Sequence, residues 1–125
     1  MVDKSKLGAT PGLLVGGAKP TRMTLMSYGP DNLVERVVTD VSEAAEQRGK
    51  LPVTWLDIDG PVDGATLQAL ADSFGLHPLA LEDVLHGEQR PKTEYYDDHV
   101  FIVVQLATIL DDSLHLEQIG LFVGA

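Results

Sequence analysis

The stretch that constrains this chain most is LHPLALEDVLHGEQRPKTE, residues Leu76 to Glu94. It predicts a helix, because Pro78 suits the first turn of a helix and apolar residues recur after it at helical spacing. One helical turn separates Glu82 from His86, and Asp83 lies beside them. The stretch therefore offers carboxylate oxygens next to an imidazole, a combination of side chains that suits a divalent cation.

Two other interpretations of the same stretch are open. Adjacent acids such as Glu82 and Asp83 lie about 100° apart around a helix, so one can face solvent while the other approaches the buried side. His77, Asp83 and His86 contain the ligand types of a hydrolytic zinc centre, although their spacing is not that of a zincin. His77 before a proline is also typical of a helix cap, and His86 at a helix end interacts favourably with the helix dipole.

The charge of the chain argues against some classes of partner. Nineteen acidic and nine basic residues give a formal net charge of -10. Nucleic acid is a poor partner for such a chain, because affinity for a phosphate backbone comes largely from basic side chains, whereas cations or basic surfaces suit it better. Arg90 and Lys92 are expected to pair with Glu88 and Glu94, an exposed arrangement that contributes little stability. Cysteine is absent, which excludes a disulfide framework and a thiolate-ligated zinc.

Hydrophobic patterning predicts one globular domain of mixed strands and helices. With 125 residues, 44% of them hydrophobic and 22% charged, the chain can bury a core. The order of the elements predicts an α/β (α+β) fold, in which a mixed parallel and antiparallel sheet has helices packed on its faces. The strand at 100–110 is expected to be central because it is almost entirely apolar. Strands are predicted at residues 22–27, 33–39, 53–59, 94–96, 100–110 and 114–123, and helices ending at residues 48, 74 and 86.

The same patterns give expectations for the domain boundaries. Residues 1–20 are expected to be a flexible N-terminal arm, because Gly, Pro and Thr interrupt their short apolar run, which is not the core of a signal peptide. Residues 21–125 are expected to form the domain. The best candidate for a membrane span, residues 100–110, is too short to cross a bilayer and is interrupted by Gln105 and Thr108.

A second acidic motif suggests a different chemistry. The strand predicted at residues 53–59 runs into Asp57-Ile-Asp59-Gly60, which is similar to the nucleophile loop of haloacid-dehalogenase-type phosphatases. In those enzymes one Asp attacks phosphorus, the second acts as acid and base, and magnesium neutralises the phosphate. The residue after the glycine is Pro61 here, where those enzymes usually have Thr. A strand that ends in solvated, turn-forming carboxylates is the simpler interpretation.

A longer pattern resembles a different family. The string HPLALEDVL at residues 77–85, followed by QRPKTE at 89–94, is similar to the amino-terminal cytoplasmic domain of CorA-type magnesium and cobalt transporters. The match is ungapped, and together with weaker matches it accounts for nearly the whole chain. Beyond this string, the similarity covers VTWLDIDG at 53–60, YYDDHVFIVV at 95–104, PG at 11–12 and MSYGP at 26–30.

This resemblance implies a regulatory role and not an enzymatic one. Members of the family are homopentameric channels, in which a cytoplasmic α/β domain senses magnesium and two transmembrane helices form the pore. Residues 21–125 would then be a truncated cytoplasmic domain at the inner face of the cell membrane, joined to the membrane only through sequence beyond residue 125. The implied regulatory ion is Mg²⁺, with Co²⁺ as a second, and the implied partners are neighbouring protomers. Asp83 is the implied metal ligand, Glu82 is a further contributor, and the opposing acid lies beyond residue 125.

Three alternatives follow from these observations. A zinc-transporting relative would share the architecture and exchange the ion. A small magnesium-dependent phosphohydrolase would use Asp57 and Asp59. An acidic adaptor domain would have no ion role, and its carboxylates would serve only as a solvated surface.

Overall fold

A computed structural model of the protein describes the backbone of Val2–Ser5 and all of residues 20–125. Within these residues the strands form one mixed sheet with the order β3-β2-β4-β1-β7-β6-β5, in which β1 is parallel to β4 and antiparallel to β7. The fold is α+β, which confirms the predicted class. The elements are β1 Val2–Ser5, β2 Arg22–Tyr28, β3 Leu33–Val38, α1 Val41–Gln47, β4 Val53–Asp59, α2 Gly64–Phe74, α3 Pro78–His86, β5 Lys92–Tyr95, β6 His99–Leu110 and β7 Ser113–Gly124.

The first two helices begin and end at residues that satisfy their free backbone groups. Asp40 and Glu43 form a capping box at the start of α1, in which the Glu43 carboxylate accepts a hydrogen bond from the Asp40 N–H at 3.2 Å. At the start of α2 the Asp63 carboxylate accepts a hydrogen bond from the Thr66 N–H at 2.7 Å. Gly75 ends α2 in the left-handed conformation, with φ of 66°. Helix α2 ends at Phe74 as predicted, and α1 ends at Gln47, one residue before its predicted end.

The core lies between one face of the sheet and the three helices α1, α2 and α3. Side chains alternate between the two faces of a strand, so every second residue of a strand lies on the same face. The buried residues of the strands all lie on one face of the sheet, here called the inner face. The helices supply the other side of the core with Val41, Ala44, Leu67, Leu70, Ala80, Leu81 and Val84, against Leu25, Val38, Leu56, Ile58, Phe101, Val103 and Phe122 from the strands.

The hairpin of β6 and β7 extends beyond the strands that flank it. The pairing of β5 with β6 stops at Val103, and that of β1 with β7 stops at Gln118. Asp111 and Asp112 make the two-residue turn at the tip with positive φ, as this type of hairpin turn requires. The expectation that β6 is central was wrong. It lies next to the edge strand β5, because an apolar run does not distinguish a central strand from a long hairpin strand.

Strand β1 lies within residues 1–20, the segment for which a flexible arm is predicted. Val2 pairs with Asp57 of β4 on one side and with Leu121 of β7 on the other. The sequence Val-Asp-Lys-Ser has no run of branched or aromatic side chains from which a strand could be recognised, and neighbouring backbones supply the partners that hold it. Residues 6–19 of the predicted arm lie outside the described residues.

Gly120 of β7 allows helix α3 to approach the sheet closely. A Cβ atom at this position would lie 3.2 Å from Val84 Cγ2 and 3.4 Å from Phe101 Cε1. The contact with Val84 is tighter than ordinary packing, the contact with Phe101 is at the short limit of ordinary packing, and both neighbours are buried. The position of α3, and of every side chain on it, therefore depends on the missing side chain at residue 120.

We expect Gly120→Val to lower the free energy of unfolding by about 1–3 kcal/mol, because an overpacked core forces its neighbours to shift. The measurement is the denaturant midpoint. Gly64→Ala is the control, since a Cβ at Gly64 would meet nothing within 4 Å. Equal stability of Gly120→Val and the parent would show that α3 is not held at this distance.

Candidate cation site

The start of α3 is fixed by two imidazoles that accept backbone hydrogen bonds. His77 is the N-cap, and its Nδ1 accepts from the Leu79 N–H at 3.2 Å. The Nε2 atom of His99, on β6, accepts from the His77 N–H at 3.3 Å. Pro78 occupies the first turn, where a missing N–H costs nothing. The helix therefore begins at a point anchored to the sheet.

Ring stacking extends this anchor. The Tyr96 ring lies between His77 and His99, with centroids 4.4 Å and 4.9 Å away. Because His99 Nε2 accepts a hydrogen bond, its proton is assigned to Nδ1, which lies 2.6 Å from Asp98 Oδ1. The hydrogen bond from His99 holds the pKa of Asp98 below its ordinary value. One connected set of side chains thus joins the beginning of α3 to the beginning of β6.

The loop between α3 and β5 is held by two glutamines of the long hairpin. Gln118 is fully buried, and its Oε1 accepts a hydrogen bond from the Gln89 N–H at 2.8 Å. The Gln105 side-chain amide donates to the Gln89 carbonyl at 3.4 Å. These contacts fix the path of the loop and bring β5 beneath α3.

An ion-pair cluster connects α3 to β5. The Lys92 ammonium lies 2.5 Å from Asp83 Oδ2 and also contacts Glu94 Oε1. Lys92 and Glu94 are on the inner face of β5, opposite Val103 and Phe101 of β6. The side chains of Asp83, Lys92 and Glu94 are 25%, 29% and 36% exposed, so the cluster lies at the rim of the core and is open to small ions.

Hydrogen bonds within this cluster shift the pKa values of its members. The bond to Asp83 raises the pKa of Lys92, with a smaller contribution from Glu94. The bond from Lys92 lowers the pKa of Glu94, and a second bond, from the Tyr96 hydroxyl at 2.6 Å, acts in the same direction. Donation to Glu94, together with burial, raises the pKa of Tyr96 to about 12. Near neutral pH Glu94 is thus a carboxylate, Lys92 an ammonium and Tyr96 a neutral phenol.

The other candidates of the predicted helix lie apart from this cluster or at its margin. Glu82 and His86 are exposed, one turn apart, on the solvent side of α3. His77 and His86 are at opposite ends of the helix, about 14 Å apart along its axis at the usual rise per residue. They therefore cannot share one zinc ion with Asp83. In the part of the chain that the structure describes, no group of three or more His, Cys, Asp or Glu side chains could hold a metal.

The chemistry of Asp83 nevertheless fits a cation. Its Oδ2 atom already holds a positive charge, the Lys92 ammonium, and a quarter of the side chain is open to solvent. Carboxylate oxygens are the ligands that Mg²⁺ prefers, and Mg²⁺ usually retains several waters while it contacts one or two carboxylates. Asp83 and Glu82 of one chain would therefore supply part of a coordination shell and leave the remainder to water or to another surface.

Asp57 and Asp59 lie on the outer face of the sheet, opposite the helices. The Asp57 Oδ1 atom is buried and has no hydrogen-bond partner within the described residues. Asp59 is the last residue of β4. The two carboxylates share a face, as predicted for a strand, and they lie on the side of the sheet away from the cluster around Asp83.

Sequence patterns did not reveal the most important contact of this site. They predicted that Lys92 pairs with Glu94, which the structure confirms, but not that Lys92 reaches Asp83. They also did not predict that Tyr96 bonds to Glu94 or stacks between His77 and His99. The helical and strand patterns are local, whereas these contacts depend on how the loop folds β5 back under α3.

Comparisons with known proteins agree on one family. A family model described as CorA-like Mg2+ transporter protein matches residues 52–125. Thermotoga maritima has a relative named Cobalt/magnesium transport protein CorA, 36% identical over 114 residues, which are 89% of this chain and 32% of that protein. The Putative metal ion transporter YfjQ of Bacillus subtilis is 39% identical over 70 residues, 56% of this chain and 21% of that protein. The Magnesium transporter ALR1 of Saccharomyces cerevisiae is 38% identical over 55 residues, 44% of this chain and 6% of that protein.

The chain spans about a third of the length of the Thermotoga maritima relative. The helices found in residues 20–125 are all too short or too polar to cross a bilayer. The relatives are named as transporters and not as phosphatases.

We expect Tyr96→Phe to remove a late phenol ionisation, with a midpoint of about pH 12, from the absorbance titration at 295 nm. The pKa of Tyr96 is higher in the folded state than its ordinary value of 10, so the Tyr96 hydrogen bond stabilises the protein fully below pH 10. This stability is lost as the pH rises through about 12. Tyr95→Phe is the control, since that ring is 80% exposed. If the late step persisted in Tyr96→Phe, the bond from Tyr96 to Glu94 would not exist in solution.

Proposed function

The chain belongs to the CorA-like Mg2+ transporter family, and from that premise we propose that it is the divalent-cation-sensing, regulatory domain of such a transporter. The observation that carries the proposal is the carboxylate of Asp83, which is partly exposed at the rim of the core and already in contact with the Lys92 ammonium. Exposed Glu82 precedes it on the same helix. In this proposal Asp83 is the principal ligand and Glu82 a contributor.

The proposed ion is Mg²⁺, with Co²⁺ as a substitute. Cobalt and magnesium appear in the name of the Thermotoga maritima relative, and magnesium appears in that of ALR1. Carboxylate oxygens are hard ligands that suit Mg²⁺. The chain offers no cysteine, whose sulfur would favour softer ions.

The proposed mechanism rests on electrostatic repulsion between copies of the domain. With a formal net charge of -10, the chain repels a second copy unless their facing carboxylates are neutralised. Bound Mg²⁺ supplies two positive charges for that neutralisation. Asp83 and Glu82 hold their side of the interface, and the opposing acid comes from a neighbouring protomer of a homopentamer. Without the ion the carboxylates repel, and the protomers separate at this point.

This arrangement would make the domain a sensor of the ion that its transporter moves. The domain would lie at the cytoplasmic face of the membrane, where a high Mg²⁺ concentration fills the sites and holds the protomers together. A low concentration empties the sites and favours the separated state. A cation shifts the equilibrium only through its higher affinity for the joined state, which is why a ligand shared by two protomers is needed.

The test is a protease-protection assay on the full-length protein that contains this domain. We expect Mg²⁺ to slow cleavage of the parent and to have much less effect on Asp83→Asn, because the variant keeps the size of the side chain and loses its charge. Glu82→Gln is expected to have an intermediate effect. The measurement is the Mg²⁺ concentration at which half of the protein is protected.

Glu46→Gln provides the matched control, since it removes one exposed negative charge from α1, far from α3. Its protection midpoint is expected to equal that of the parent. The proposed function would be wrong if Asp83→Asn showed the same midpoint as the parent, or if the parent showed no dependence on Mg²⁺.

A further inference from the structure

We infer that Lys92 competes with the divalent cation for Asp83 and thereby sets the concentration at which the site fills. This inference rests on the function proposed above and concerns its regulation. The Lys92 ammonium contacts Asp83 Oδ2 at 2.5 Å and approaches from β5, whereas Asp83 lies on α3. The candidate ligand is thus occupied by a cation that belongs to the same chain.

Contacts other than that with Asp83 also hold the position of Lys92. Glu94 Oε1 contacts the ammonium, and Glu94 Oε2 accepts a hydrogen bond from Tyr96 at 2.6 Å. The Lys92 nitrogen also lies 5.9 Å from the centroid of the Phe101 ring, within the range of a cation–π contact. These contacts keep the ammonium near Asp83, so its effective concentration there is far above that of a free monovalent ion.

The local charge leaves room for a stronger cation. One ammonium faces two carboxylates in direct contact, and the exposed carboxylate of Glu82 is next to Asp83 along α3. A single positive charge therefore neutralises only part of the negative charge of this cluster. A divalent cation supplies twice the charge, and it can approach because the side chain of Lys92 is 29% exposed and flexible.

A competing ammonium multiplies the apparent affinity by the fraction of Asp83 that it leaves free. Partly exposed ion pairs are modest in strength, so we expect the effect to be about two- to fivefold. A purely structural Lys92 would act differently. Its loss would weaken the attachment of α3 to β5 and would leave the affinity for Mg²⁺ unchanged or lower.

The experiment compares Lys92→Met with the parent in the protease-protection assay on the full-length protein, at constant ionic strength. Methionine keeps an unbranched chain over Phe101 and removes the ammonium. We expect the Mg²⁺ midpoint to fall about two- to fivefold. On the 125-residue chain, the same variant should show Co²⁺-induced broadening of the amide signals around Asp83 at lower Co²⁺ concentrations than the parent.

Lys50→Met is the matched control, because it changes the net charge by the same amount at an exposed site between α1 and β4, outside the cluster around Asp83. Its midpoint is expected to match the parent, as is that of Lys92→Arg, which keeps the positive charge. Equal midpoints for Lys92→Met and Lys50→Met would overturn the inference.

Comparison of Asp83→Asn with Lys92→Met separates the inference from the function on which it rests. If Asp83→Asn shifts the midpoint and Lys92→Met does not, only the competition by Lys92 is wrong. If Asp83→Asn has the midpoint of the parent, the proposed function itself is wrong. Lys92→Gln repeats the test in case the methionine variant does not fold, as judged by circular dichroism. Loss of fold in both variants would assign Lys92 a structural role and overturn the inference as well.

Discussion

Alternation of side chains along paired strands is the constraint on which this structure depends. The register from β3 to β5 keeps the buried residues of the strands on one face, where α1, α2 and α3 cover them. A shift of one residue in any strand would exchange its two faces and place apolar side chains in solvent and polar ones in the core. Gly120 shows how closely the helices follow this face, because a Cβ at this position of β7 would lie 3.2 Å from Val84 Cγ2 of α3.

The same alternation creates the candidate site. At β5, the edge of the sheet, the inner face is no longer fully covered, and the residues in inner positions are Lys92 and Glu94. Their long side chains extend from beneath α3 to its rim, where Asp83 meets them. A charged cluster is tolerated here because each member has a partner and because part of each side chain contacts water. The candidate site thus lies where inner-face positions of the sheet become exposed to solvent.

Much of this fold could be predicted from the sequence, because its signals are local. Asp40, Asp63, Gly75 and Pro78 mark helix ends by the hydrogen bonds they make or cannot make within a few residues, and the predicted ends of α2 and α3 were confirmed. Strand β1 could not be predicted, since its stability comes from two neighbours that are distant in sequence. The order of the strands was beyond local patterns for the same reason.

The candidate site, like the fold, could be predicted only where its signals are local in the sequence. Asp83 and Glu82 stand out in the sequence as adjacent acids on a helix, and the pairing of Lys92 with Glu94 was expected from opposite charges two residues apart. The contact of Lys92 with Asp83 requires the loop that Gln118 and Gln105 fix through Gln89, which no pattern of one element contains. A lysine in the sequence indicates a positive charge, but the tertiary fold determines which carboxylate the lysine contacts.

An internal counter-ion gives an acidic sensor a property that carboxylates alone would not have. Bare carboxylates in a chain of net charge -10 would attract any cation, and a site built only from them would fill at low concentrations. In the inference above, Lys92 is a competing partner tethered in the same chain, so its local concentration at Asp83 does not vary with that of the free ions. In the proposed function, Mg²⁺ must then do more than neutralise charge: it must bind well enough to displace a tethered ammonium. That requirement favours a divalent ion over the monovalent ions around it, because only the divalent ion offers more charge than the lysine it replaces.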